Sequence, residues 1–562
     1  MELFSKEESW NLFLDTMGHD VLINNPNLKA TVEEVVKECA RLPLAIITIT
    51  RSLKNVVDSS KWMNALQELR TSMKGPDNVA IAVFKRLQFS YKRLKDDKLQ
   101  HCLLYCALYP EDYQIDRDEL IEHLIDEGVI ERMESRQVEF YKGHTMLNKL
   151  ENACLLEGGS RNSKYFVKMH DLIRDMALQI AGPNFMVEFK DFLDEEKWGK
   201  DLVKVSLIRN SMFEFPYISP RCPKLSTLLL EGNYFNGSIP DSFFVHLHGL
   251  NVLDLSHTCI TSLLSSISNL ENLTTLRLKN CESLTHVPSL AKLTILKKLD
   301  ISRSRIKEIP HGLEMLVNLT YLDLHAPDLK KMPLGILPKL TQLQVLKLNC
   351  FSASLRVNGE EIVKLKKLEY FKGRFYDINH FNTYVGSLEE VGLITISNYF
   401  LFVGENKAYD IKLINFDWYK ESKLVILDEC NLSLVLLPKD VQTLVICRCD
   451  NLRSLLDASY LKHAKELKSI FIWGCQEIGD TLSLSYPFPL QSLEWVDLRS
   501  LDILRIPFGE ERVASAPAVT PGTFSRLKKF TIIGCWNIKK LFTPRLVLNL
   551  GNLEEIDVFD CE

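Results

Sequence analysis

Residues 168–180 read "KMHDLIRDMALQI", and the pair His170-Asp171 stands where a strand-like run, "YFVKMH", meets an amphipathic one. Leu172, Ile173, Met176, Ala177 and Ile180 recur at one-face helical spacing, which places Asp171 at the N-cap. His170 then lies beside a helix N-terminus, where unpaired backbone N–H groups and the macrodipole favour an anion. An ordinary capped turn is the commoner meaning of such a pair, and this stretch by itself does not choose. Elsewhere the chemistry-bearing residues are scattered. No Ser/His/Asp arrangement or H-E-x-x-H pattern stands out, so no catalytic residue is assigned and the chain is not expected to be an enzyme. The 14 cysteines are dispersed without a closely spaced double pair, so no metal site is assigned. One stretch imitates a nucleotide site: "KLVILDEC" at 423–430, an apolar run ending in Asp428-Glu429.

The elements around the pair come in two textures. Over the first 180 or so residues the pattern is short helices. "TVEEVVKECA" carries Thr31 and Glu34 at capping-box spacing, and Pro43 suits the first turn of "PLAIITITRSLK". "IDRDELIEHLIDEGVI" pairs Asp116 with Glu119 and stops at Gly128. Three helices followed by "YFVKMH" fit a winged-helix arrangement. From about residue 200 the pattern L-x-x-L-x-L-x-x-N/C/T recurs. It runs from "LVKVSLIRN" at Leu202 through "LSTLLLEGN", "LNVLDLSHT", "LTTLRLKNC", "LKKLDISRS", "LTYLDLHAP" and "LQVLKLNCF". It blurs over 355–435, where "LEEVGLITI" from Leu388 is the clearest copy, and it returns from "VQTLVICRC" to "LEEIDVFDC".

Each repeat supplies a short strand that cannot bury its apolar face alone, so neighbours must stack into a solenoid. On this reading "KLVILDEC" is one more repeat strand. Cys281, Cys449, Cys475, Cys535 and Cys561 fall at the N/C position and read as structural thiols. Residues between the core leucines face the concave side. There Phe471, Trp473, Trp495 and Phe559 are candidate anchors for a partner, or else pack on each other. The chain ends on a repeat at Cys561-Glu562 with no polar cap in view, which suggests a C-terminus cut short or covered.

With the repeats in place, the helical part resembles the second half of the nucleotide-binding (NB-ARC) module of plant disease resistance proteins, coiled-coil branch. "CARLPLAIITI" is similar to that family's GLPLA motif, with Pro43 at its proline. "HCLLYCALYPEDYQI" resembles the motif that opens its winged-helix subdomain, and "VKMHDLIRDMA" matches its Met-His-Asp motif at Met169, His170 and Asp171. The resemblance implies an α+β multidomain chain: a helical subdomain over 1–78, a winged helix over 79–182, a linker over 183–200 and a leucine-rich-repeat solenoid over 201–562. It also implies an ADP/ATP switch in the full-length family. His170 would reach the ADP phosphates, Asp171 would hold the helix start, and Pro43 would pack near the adenine. Two departures stand against a complete switch. The sequence has no G-x-x-x-x-G-K-[ST] loop, which supplies most phosphate contacts, and Arg41 replaces the glycine of GLPLA. Tight nucleotide binding by this chain alone is therefore not expected, and an N-terminal truncation is.

The expected function is that of an innate immune receptor fragment recognising a pathogen effector or a guarded host protein, or pairing with a full-length relative. The alternative is a nucleotide-independent repeat scaffold or decoy, or the relic of a truncated gene. A net charge of −5, and five acidic residues against one arginine in "RDELIEHLIDE", argue against nucleic acid. No apolar run approaches a bilayer span and no signal peptide is visible, so a cytoplasmic setting with free thiols is expected.

Overall fold

The computed structural model describes residues 3–18, 28–54, 56, 58–72, 79–187, 192, 194–215, 217–235, 239–349, 355–390, 396–404, 423–449, 461, 464–476, 478, 481–483, 492–509, 524–542 and 544–561. They fall into two compact units. The first holds residues 1–234 and 242–254, and the second holds 235–241 and 255–562.

The first unit opens with α1 (Lys6–Met17), whose start is a reciprocal cap: Glu8 N–H donates to Ser5 Oγ and Ser5 N–H to Glu8 Oε2. The expected box at Thr31 and Glu34 does not form. α2 (Lys29–Glu38) begins three residues earlier, with Leu28 at its N-cap; Thr31 Oγ1 turns to Met63 Sδ, and Arg70 takes the Glu34 carboxylate. α3 (Pro43–Ser52) does start on Pro43, after Ala40 and Arg41 bend the chain at φ of 51° and 61°. α4 (Ser59–Ser72) and α5 (Val79–Lys92) follow, and Trp62 is fully buried with its indole N–H donating to the Val56 carbonyl.

α6 (Asp97–Cys106), β1 (Ile115–Asp116), α7 (Arg117–Asp126), α8 (Arg136–Asn152), β2 (Glu157–Arg161), β3 (Lys164–Lys168) and α9 (Asp171–Ala181) make the winged helix. Asp116 caps α7 through Asp118 N–H and Glu119 N–H, and Gly128 at φ 74° ends it, as the sequence pattern indicates. β3 lies between β1 and β2, antiparallel to both. The wing is a two-residue hairpin with Asn162 and Ser163 both at positive φ, the backbone a type I′ turn requires. Gly159 faces Phe166 across it, and a Cβ there would lie 2.3 Å from the ring.

The same unit takes in the first repeats. β4 (Phe185–Met186), β5 (Lys204–Ser206), β6 (Thr227–Leu229) and β7 (Val252–Asp254) pair in parallel, one after the next. Their apolar residues close the same core as the helices: Leu120, Leu124, Val167, Ile173 and Met176 are continuous with Ile208, Leu229 and Val252. The described residues of the expected linker over 183–200 are built in as well. Phe185–Met186 is a strand, and Phe192 and Trp198 pack edge-on against each other and against Phe215 and Phe243. Polar contacts follow the same path. Ser206 Oγ donates to the Leu108 carbonyl at 2.6 Å, and the Arg209 guanidinium lies over the Tyr113 ring. The Glu127 carboxylate pairs with Lys204 Nζ and accepts from Thr227 Oγ1.

In the second unit β8 (Thr275–Arg277), β9 (Lys298–Asp300), β10 (Tyr321–Leu324), β11 (Val345–Leu348), β12 (Tyr370–Arg374), β13 (Asn398–Gly404), β14 (Leu424–Asp428), β15 (Thr443–Cys447) and β16 (Ser469–Trp473) pair in parallel in chain order. β17 (Thr481–Ser483) and β19 (Ile506–Gly509) pair with each other, while β18 (Trp495–Arg499), β20 (Lys529–Ile533) and β21 (Glu555–Phe559) continue the ladder. The leucine-rich-repeat solenoid is thus present, and "KLVILDEC" is indeed a repeat strand, β14. The N/C/T residues share a geometry that composition does not reveal. Thr258, Cys281, Ser304, Cys430, Cys449, Cys475, Cys535 and Cys561 each follow a residue with φ between 48° and 62°. The thiols answer the freed backbone: Cys449 N–H donates to Cys475 Sγ, Cys535 N–H to Cys561 Sγ, and Cys281 Sγ to the Leu255 carbonyl. Burial pushes the Cys535 thiol up to about 11.

The blurred zone needs a correction. "LEEVGLITI" is not a repeat strand: Leu388–Glu390 end a helix, α10 (Ile378–Glu390), and 391–395 lie outside the described residues. Phe381 and Tyr384 on that helix pack against Phe371 and Phe375, so a helical face fills the core where leucines serve elsewhere. The strand at this position is β13, "NYFLFVG".

Candidate functional site

The turn at 169–173 differs from the sequence expectation by one residue. His170, not Asp171, is the N-cap of α9: its Nδ1 accepts from Leu172 N–H at 3.2 Å, and Asp171 is the first helical residue. Imidazole can replace the short polar cap because its Nδ1 sits at the same reach as a side-chain oxygen of Asn or Asp. An accepting Nδ1 fixes the neutral tautomer with its proton on Nε2, so the half-buried ring offers one N–H donor at the helix start. Asp171 Oδ1 is buried and has no hydrogen-bond partner among the described residues. Lys168 pairs with Asp112 nearby, and that pairing holds the Asp112 carboxyl below its ordinary value. Arg174 Nε donates to the Tyr109 carbonyl, tying α9 to the end of α6. Pro43 begins α3, which packs on α5, and α9 packs on α5 and α6. The structure therefore sets Pro43 and His170 on helices that share a neighbour, and records no hydrogen bond between the two.

The four aromatic candidates separate. Phe471 is 3% exposed, which corrects its reading as an exposed anchor. Its ring meets Trp495 at 4.9 Å and packs with Phe400, Phe402, Ile426 and Val445 into an apolar cluster made of alternate strand residues. Trp473 and Trp495 flank that cluster half-buried, with Lys529 over the Trp495 ring. Phe559, 56% exposed, stands in β21. Sequence reasoning missed what precedes the cluster on the same register positions. Lys298 and Lys347 lie over the Tyr321 ring, Lys347 also over Tyr370, Lys372 over Phe400 and Arg374 over Phe402. The alternation in "YLDL", "VLKL" and "YFKGR" carried that signal. Asp323, register partner of Asp300, is pushed up to about 6 by burial and then by Asp300; His325 is held down to about 3 by burial and then by Lys372 and Arg303. Cations stacked on aromatics thus lead, strand by strand, to a buried apolar cluster edged by two half-buried tryptophans. Among the described residues no helix is long and apolar enough to cross a membrane.

Residues 108–177 match the winged-helix domain of disease resistance proteins, and 223–282 match a leucine-rich repeat. The chain is 28% identical to the Arabidopsis thaliana disease resistance protein At4g27190, across 99% of this chain and 58% of that protein. It is 30% identical to the probable disease resistance protein At4g27220 of the same plant, across 99% and 61%, and 27% identical to At1g15890, across 96% and 62%. The chain thus spans about three fifths of the length of these relatives. With the Met-His-Asp turn closing the winged helix and the repeats following it, the chain is similar over nearly its whole length to plant disease resistance proteins that carry a winged helix and leucine-rich repeats.

Proposed function

We propose that this chain is the regulatory and recognition portion of an innate immune receptor, working in the cytoplasm. The carrying observation is that the winged helix and the first repeats share one core and one set of ion pairs within the first unit. The Met-His-Asp turn therefore rests on the same packed body as the start of the solenoid. Binding shifts such a two-state element only through its differential affinity for the two states. The partner is a pathogen effector or a guarded host protein, taken on the strand face around Trp473 and Trp495; pairing with a full-length relative is the second arrangement. Limits near 78 and 182 for the helical and winged-helix parts are the working division of the chain, with the repeat ladder taken to begin at β4.

Toward ADP, the residues present fit in part. His170 Nε2–H is a donor at a helix N-terminus, Asp171 stabilises that terminus, and Pro43 supplies an apolar edge on α3. Bound nucleotide would supply the diphosphate that distinguishes resting from active states. A single imidazole and one helix end are not enough to hold it tightly, since the sequence has no phosphate loop. The role is that of receptor rather than enzyme. The test is expression of the natural gene in leaves with His170→Ala or Asp171→Val. Raised cell death without a pathogen supports the reading, and unchanged or lower cell death counts against it. Trp473→Ala with Trp495→Ala should abolish recognition while leaving that basal level in place.

A further inference from the structure

Glu119 and His123 lie four residues apart on one face of α7, and Glu231 stands in the turn after β6. One ligand atom from each of the three lies within 4.8 Å of the others. His123 is 1% exposed and Glu231 4%. The His123 ring is not free to turn: its Nδ1 is 3.1 Å from the Tyr105 hydroxyl, and its Nε2 is 3.8 Å from the buried Asp254 carboxylate. Metal-ligating imidazoles are oriented by such a second hydrogen bond on the opposite nitrogen.

We infer that Glu119, His123 and Glu231, with Asp254 beside them, bind a divalent transition cation of the zinc class that pins the winged helix to the first repeats. One imidazole with carboxylates suits zinc or manganese, whereas magnesium and calcium prefer all-oxygen sets. Ligand atoms about a tetrahedral zinc stand roughly 3.3 Å apart, so side-chain rotations of about 1 Å close the cluster. The site joins residues more than a hundred positions apart in sequence, which is why no motif spacing discloses it.

The experiment strips the purified full chain with EDTA, adds zinc chloride and counts bound metal after dialysis by mass spectrometry. The expected result is one zinc retained against millimolar magnesium, with the thermal midpoint raised by several degrees. His123→Asn with Glu231→Gln should weaken that zinc at least tenfold, while zinc held by cysteine thiols survives the change. Equal zinc in the wild type and the double variant overturns the proposal. Should the variant fail to fold, cobalt(II) in the wild-type chain decides. A spectrum without a thiolate charge-transfer band supports the site, and a thiolate spectrum or no stoichiometric uptake refutes it.

Discussion

Replacing Glu127 with alanine tests how the winged helix is fastened to the repeats. The Glu127 side chain is 7% exposed and its partner Lys204 17% exposed. Glu127 also accepts from Thr227 Oγ1 at 2.7 Å, and Lys204 Nζ, itself 3.0 Å from Thr227 Oγ1, lies near the face of the Tyr105 ring. Removing one partner of a buried pair costs about 3–5 kcal/mol, because the other charge stays buried. Partial exposure of Lys204 brings the expectation down to about 2–3 kcal/mol. Urea denaturation should show the tryptophan-reported transition moving to lower urea by that amount, with an unchanged slope. Glu127→Leu with Lys204→Met removes both charges, and it should recover to within about 1 kcal/mol of the wild type. A single variant costing under about 0.5 kcal/mol would show a solvated, non-anchoring pair and refute the reasoning.

Arg41 holds φ at 61°, where glycine is at home, so Arg41→Gly should raise stability by about 1 kcal/mol in the same assay. Buried Asn233 donates to the Leu207 and Leu230 carbonyls and accepts from Met212 N–H; Asn233→Ala should cost about 2–4 kcal/mol. Asp323 and His325 give opposite pH slopes. The raised Asp323 carboxyl contributes stability present below about pH 4 and lost as pH rises through about 6, whereas the depressed His325 contributes stability lost as pH falls from about 6.5 towards 3. Asp323→Asn should therefore stabilise at pH 7 and leave a protein more acid-sensitive than the wild type between pH 4 and 6, whereas His325→Asn should leave stability that falls with rising pH. Chemical denaturation at pH 4, 5, 6 and 7 reads both slopes.

The repeats were legible because their period is enforced by a shared core, and each leucine position is a physical necessity. Local signals failed where tertiary partners took over a side chain. Glu34 belongs to Arg70 rather than to a capping box, and the imidazole of His170 does what a capping carboxylate at Asp171 was expected to do. Phe471 followed the pattern for a concave residue, yet neighbours on adjacent strands bury it, and no single-strand pattern reports what stands beside a strand. The zone around Leu388 misled because a helical face of Phe381 and Tyr384 can fill a repeat core as well as a strand's leucines do. The cluster of Glu119, His123 and Glu231 has no sequence signature, since the turn after β6 reaches α7 only in the folded unit.

The central claim is that the winged helix and the first repeats are one cooperative body carrying the Met-His-Asp turn. Native-state hydrogen exchange of the purified chain measures it most directly. The account predicts that amides of α7, α9 and β5–β7 open together at a single free energy, and that Glu127→Ala lowers that energy for all of them at once. Amides of β5–β7 opening apart from α7 and α9, or a Glu127→Ala effect confined to β5 and β6, would contradict it.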